Sequence, residues 1–149
     1  MWHQGDKNVL NEPKIYLDSS HKDFGYGFYC TNSEKQAKRW ALTKRNRHVV
    51  NVYSYTENKN LNCRIFKEMS DEWIDFVVSS RQGKRHDYDI VEGPMADDTI
   101  WNYVDDFARG MIYRTAFWEL VKFKYPTHQI VFCTEAALKC LEYDRSYEL

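Results

Sequence analysis

The stretch Asp23-Phe24-Gly25-Tyr26-Gly27-Phe28-Tyr29-Cys30-Thr31 constrains this chain more than any other, because two glycines one residue apart interrupt an aromatic run just ahead of a helix-start signal. Glycine reaches backbone angles closed to other residues and lets a ligand approach the main chain. Phe24, Phe28 and Tyr29 offer flat faces on which a planar ligand could stack. The segment reads either as an aromatic turn entering a strand or as one wall of a pocket for a flat ligand.

Its surroundings alternate between strand and helix signals. Met1 to His3 could begin a first strand, and Pro13-Lys14-Ile15-Tyr16-Leu17 reads as a short strand or extended loop. Ser33 with Gln36 three residues on forms a capping box, and Ala37, Trp40 and Ala41 recur at helical spacing through about Lys44. Val49 to Tyr55 is β-branched and aromatic, and a turn at Asn58 to Asn60 separates it from a second short strand at Cys63-Arg64-Ile65-Phe66. Ser70-Asp71-Glu72 caps a helix that carries Trp73, Phe76 and Val77 to Arg81 and Gly83. Tyr88 to Pro94 is a strand ended by a Gly-Pro turn, and Asp97-Asp98 opens a helix through Trp101, Val104 and Phe107 to Gly110. Another helix runs from Thr115 to Tyr125 and stops at Pro126; a strand from His128 to Thr134 and a short helix at Glu135 to Leu138 follow. The interleaving predicts an α+β fold, and the 149 residues, with no repeat or linker, predict one domain over residues 1–149.

Charge and cysteine usage narrow the function classes. Twenty-one basic residues against 22 acidic ones leave a net charge of −1, which excludes the global field of a strongly basic nucleic-acid binder. The run Lys38, Arg39, Lys44, Arg45, Arg47 and His48 is a local basic patch or a solvated helix face, and it keeps a nucleic-acid-binding domain as an alternative. Cys30, Cys63, Cys133 and Cys140 make neither a C-x-x-C pair nor a zinc-site cluster, so they read as buried or idle thiols and no metal is expected. With no charged leader and no membrane-length apolar run, the expectation is a cytoplasmic protein without a membrane partner.

Three separated pieces fall in an order that resembles the ADP-ribosyltransferase fold. They are Trp2-His3-Gln4-Gly5, Gly25-Tyr26-Gly27-Phe28-Tyr29 with a helix behind it, and His128-Gln129-Ile130-Val131-Phe132. The likeness is to the diphtheria-toxin and poly(ADP-ribose) polymerase branch, whose triad is His, Tyr and Glu. More narrowly, Asp23 to Trp40 with Glu72 to Val77, Tyr88 to Val91 and Ala96 to Asp98 resembles bacterial domain-of-unknown-function family 3990 across nearly the whole chain. The implied fold is a split β-sandwich with flanking helices. The implied activity is mono-ADP-ribosyl transfer from NAD to a protein, nucleic-acid or small-molecule acceptor, in a bacterial toxin, toxin-antitoxin or defence setting. A small antitoxin or inhibitor protein would then be a partner. A non-catalytic module that binds NAD or ADP-ribose on the same fold is the alternative.

The resemblance assigns roles to particular residues. His3 would hydrogen-bond the adenosine ribose, and the main chain at Gln4 and Gly5 would meet the nicotinamide amide; the branch has glycine directly after the histidine, whereas here Gln4 intervenes. Tyr29 would stack on nicotinamide, with Gly27 keeping the loop slim and Phe28 beside it. Trp40 is either a second sandwiching aromatic or a core residue alongside Ala37 and Ala41. Gln129 stands where the catalytic glutamate would be, and an amide can hydrogen-bond a ribose hydroxyl but carries no charge and cannot act as a base. Asp97, Asp98, Glu92 and Glu135 are candidates to supply a carboxylate, Asp98 serving either there or as a helix cap. Asp23 and Phe24 are read as shaping the loop, while Arg81 and Arg114 could meet the pyrophosphate.

Overall fold

The computed structural model describes residues 1–15 and 22–149, and the Asp98 side chain also lies outside the described residues. The elements are β1 (Trp2–Asp6), β2 (Phe28–Thr31), α1 (Glu34–Leu42), β3 (Val49–Tyr55), β4 (Cys63–Ile65), α2 (Asp71–Arg81) and β5 (Ile90–Pro94). They continue with α3 (Asp98–Ala108), α4 (Arg114–Val121), β6 (His128–Phe132), α5 (Glu135–Leu138) and β7 (Leu141–Glu148). The chain is α+β. Residues 13–15 carry no regular structure, and the remainder of the expected strand, Tyr16 and Leu17, lies outside the described residues.

Side chains at the helix starts explain where the helices begin. Ser33 Oγ accepts from the Gln36 N–H at 3.2 Å, Ser70 Oγ from the Trp73 N–H at 3.1 Å, and Asp97 Oδ1 from the Ile100 N–H at 3.2 Å. The fourth helix begins at Arg114 and ends at Val121, short of the expected Tyr125; Lys122 is its C-cap, and a turn bond from the Lys124 N–H to Val121 O carries the chain toward Pro126.

The strands lie in the order β4-β5-β6-β2-β1-β3-β7. The ladder narrows at the centre, where β1 and β2 share the single register pair His3↔Thr31. On either side pairing is extensive, from Phe28↔Phe132 to Thr31↔Gln129 between β2 and β6 and from Trp2↔Tyr53 to Asp6↔Val49 between β1 and β3. The sheet is thus two half-sheets joined by one register pair, and beyond it no further pair joins β1 to β2 among the described residues.

Register also assigns the faces, because directly opposed residues share a side. His3, Thr31, Gln129 and Gly93 form one row across four strands, and Tyr29 with Val131 lies on the same face. On the β4-β5-β6-β2 half that face is covered by α2, α3 and α4, whose Trp73, Ile74, Val77, Ile100, Val104 and Phe117 pack with Tyr29, Val91 and Val131. On the other half α1 covers it, Ala37 and Ala41 meeting Val50 and Val52. A Cβ on Gly5 would come within 2.2 Å of Ala37 O, so glycine is what allows α1 to lie this close to β1. The opposite face buries Phe28, Cys30, Tyr53, Ile130 and Phe132 against α5. Among the described residues no helix is long and apolar enough to cross a membrane.

Candidate functional site

A cavity of about 540 Å³ opens where the half-sheets part, within the range of small-molecule sites. Its walls include Gln4 and Gly5 of β1, Gly27 to Tyr29 of the glycine loop, Trp40 at the far end of α1, Arg81 of α2, and Gln129 of β6. Residues more than 120 positions apart in sequence meet there because the β6-β2-β1 order sets the two ends of the chain beside the loop.

The glycine loop is held by its own tyrosine. Tyr29 Oη accepts from the Phe24 N–H at 3.1 Å and donates to Gly25 O, so the phenol closes the turn that precedes it. Burial and then the neighbouring Asp23 charge raise that phenol well above its ordinary value, so it stays neutral and is no base. Lys22 Nζ lies 5.0 Å from the ring centroid. Gly27 has φ +153°, and a Cβ there would sit 2.5 Å from Val131 Cγ2; only glycine fits the loop against β6.

The aromatic trio divides, which corrects the reading that all three rings offer stacking faces. Phe24 is wholly buried and packs on Phe66 and Phe76. Phe28 lines the cavity, but its ring is 1% exposed and meets Tyr53 edge-on. Tyr29, 9% exposed, lines the cavity, and the half-buried Trp40 is a second aromatic residue on its wall instead of a member of the Ala37 and Ala41 cluster.

Gln4 and Gly5 both line the cavity. The Gln4 side chain accepts from Asn51 Nδ2 at 3.0 Å and donates to Asp6 Oδ2 at 3.3 Å on the opposite face. His3 does not line the cavity. Sharing a face with Gly5, it sits beneath the start of α1 near Glu34, its pKa lowered chiefly by burial and its Nδ1 buried without a hydrogen-bond partner among the described residues.

Gln129 is 3% exposed and points its Nε2 at Asp23 Oδ2, 3.1 Å away. Asp23 is itself 5% exposed and accepts from the Ala96 N–H at 2.8 Å, from Arg81 Nε at 2.8 Å and from Arg81 Nη2. The Arg81 guanidinium in turn lies 3.3 Å from the centroid of the Trp101 ring. Asp23 is therefore the carboxylate beside Gln129, and assigning it to loop shaping alone understates it. The expected substitutes are elsewhere: Asp97 caps α3, Glu92 Oε1 lies 3.2 Å from His128 Nε2, and Glu135 is exposed at the start of α5. Asp98, expected either as a cap or as a catalytic acid, has its side chain outside the described residues, and Asp97 holds the cap. Arg114 also lies away from the cavity, paired with Asp71 and Asp75 on the surface.

The basic run divides as well. Lys38 pairs with Glu34 and Arg47 with Glu148, whereas Lys44 turns to the cavity beside Thr43. Among the described residues the wall carries Lys22, Lys44 and Arg81 beside Asp6 and Asp23, cations that could meet an anionic ligand with a planar group.

Fold and site together define an α+β protein with a cleft between two half-sheets that Tyr29 and Trp40 line. The chain belongs to the family described as Protein of unknown function (DUF3990), whose sequence model matches residues 1–143. No curated protein and no solved structure matches it.

Proposed function

We propose that this protein is an NAD-dependent mono-ADP-ribosyltransferase and that the cleft takes the nicotinamide end of NAD. The observation that carries the reading is the convergence of Tyr29, Gln129, Gln4 and Gly5 on one cavity, since these are the positions at which the sequence resembles that superfamily. Tyr29 and Trp40 supply aromatic walls for the nicotinamide ring. Lys22 and Lys44 supply positive charge for the pyrophosphate. His3 reaches a ribose only if the bound nucleotide runs past Gly5 toward Glu34, which suits the adenosine end of an extended dinucleotide.

In the transfer step the bond between ribose C1′ and the nicotinamide nitrogen breaks, and nicotinamide leaves with the electron pair. A nucleophile on the acceptor forms the new bond to C1′ and releases its proton to solvent. The sugar passes through a cation-like state, so positioning and negative potential near the ribose lower the barrier. The four free thiols suit a reducing cytoplasm, and an antitoxin-like or inhibitor protein remains part of the same proposal.

Incubation of the purified protein with labelled NAD and a cell lysate tests it. Label transferred to an acceptor, with release of nicotinamide, is the expected result. Binding of NAD with neither transfer nor release would replace the enzyme by a binding module, and salt-sensitive nucleic-acid binding without NAD would replace both.

A further inference from the structure

Gln129 and Asp23 are joined through the donor end of the glutamine amide. A glutamine side chain has a donor end and an acceptor end, whereas an ionised carboxylate only accepts. The Nε2 of Gln129 must therefore face Asp23 Oδ2, as it does at 3.1 Å. Oε1, at the other end of the same amide, is thereby turned away from Asp23. Asp23 cannot rotate out of this role, because Arg81 holds its Oδ1 and the Ala96 N–H holds its Oδ2.

We infer that Asp23 is the positioning residue of this site: it fixes Gln129 with the amide oxygen presented to the cavity as the acceptor for a ribose hydroxyl, and it carries the negative charge that Gln129 lacks. The inference rests on the NAD reading above. The charge of a catalytic glutamate is, in this chain, displaced by one hydrogen bond onto the loop that also carries Tyr29. Arg81 tempers that charge, and its stacking on Trp101 anchors the arrangement to α3. Glutamate at position 129 would face Asp23 across a hydrogen-bond distance, where two carboxylates repel and share a proton. Glutamine is thus the side chain that fits beside Asp23.

The test exchanges the two groups. Asp23→Asn keeps an oxygen for Arg81 but lets the amides of positions 23 and 129 adopt either orientation; Gln129→Glu sets two acids together; the double variant restores one acid and one amide in reversed order. Each single variant is expected to lower the rate of nicotinamide release at least about tenfold while changing NAD affinity less than about threefold, with the double variant recovering most of the loss. A double variant no faster than the slower single, with all forms folded by thermal unfolding, overturns the charge assignment. Gln129→Glu leaves the Arg81 pair untouched, so it stands as the probe should Asp23→Asn fail to fold; full activity in it at neutral pH also overturns the assignment.

The side-chain amide protons of Gln129 give a reading independent of the nucleotide. In nitrogen-15 spectra one of them is expected to be shifted downfield and protected from exchange in the wild type, and to lose both properties in Asp23→Asn. Unchanged signals overturn the positioning role. A wild type that neither binds NAD nor releases nicotinamide sinks the NAD reading, and with the amide signal intact it sinks that reading alone.

Discussion

His3 stands opposite Thr31, and this one register pair is where the two halves of the sheet meet. The cleft exists because pairing stops there, and the glycine loop must pass close to β6 to leave it open. Gly27→Ala brings a Cβ to 2.5 Å from Val131 Cγ2 and 2.7 Å from Phe132 O, at a φ of +153°. The expected cost is about 2–4 kcal/mol from strain and overpacking together. Thermal unfolding checks it, and a midpoint within about 2 °C of wild type would show that the loop can move aside.

Tyr29 combines two roles that substitutions separate. Tyr29→Phe removes the oxygen that accepts from the Phe24 N–H and donates to Gly25 O, and it is expected to lower stability by about 1–3 kcal/mol while leaving the ring on the cavity. Tyr29→Ala also removes the wall. Titration calorimetry with NAD should find the Phe variant within about threefold of wild type and the Ala variant weaker by about tenfold or more. Equal affinity in all three proteins would mean that the ring is no part of a nicotinamide site.

Much of this architecture is legible from local chemistry. Ser33, Ser70 and Asp97 announce their helices by the hydrogen bonds that short oxygen-bearing side chains make at N-caps, and Val49–Tyr55 announces its strand by β-branched and aromatic content. The strand Leu141–Glu148 carries no comparable signal. Among the described residues it is an edge strand rich in charge, paired only with β3, and a register shift between Val52 and Tyr53 breaks the alternation by which it could be read. The site divides in the same way. Tyr29 and Gln129 are visible as positions in a resemblance, but the hydrogen bond between Asp23 and Gln129 joins residues 106 apart, and no local pattern encodes such a contact. Asp23 opens the same stretch as Tyr29, but its burial and its four donors come only from the packed fold.

His3 makes stability depend on pH. Its pKa in the folded protein lies below the ordinary imidazole value of 6.5, chiefly through burial, with the Glu34 charge opposing the shift. The unfolded chain therefore binds this proton more readily than the folded one. The contribution of neutral His3 is complete above 6.5 and is lost as pH falls through that value toward the folded pKa. Urea midpoints measured between about pH 7.5 and about pH 5.5 should fall more steeply in wild type than in His3→Asn. Parallel curves would remove His3 as a source of the dependence.

Asn51 ties the segment after β1 to the far edge of the sheet. It is wholly buried; its Oδ1 accepts from the Leu10 N–H at 3.0 Å and from Ser146 Oγ at 2.5 Å, while its Nδ2 donates to Gln4 Oε1 at 3.0 Å and to Asn8 O at 3.1 Å. No other side chain type offers two donors and two acceptor sites at that length, so the four partners depend on this amide together. Asn51→Ala is expected to cost about 3 kcal/mol, more than a single lost hydrogen bond, because buried groups are left without partners. Ser146→Ala, which removes one arm only, should cost about 1 kcal/mol. Because Gln4 loses its anchor as well, Asn51→Ala should also loosen the β1 side of the cleft, read as faster amide exchange at Gln4 and Gly5. Equal stability losses in the two variants, with unchanged exchange at Gln4, would show that the network does not act through Asn51.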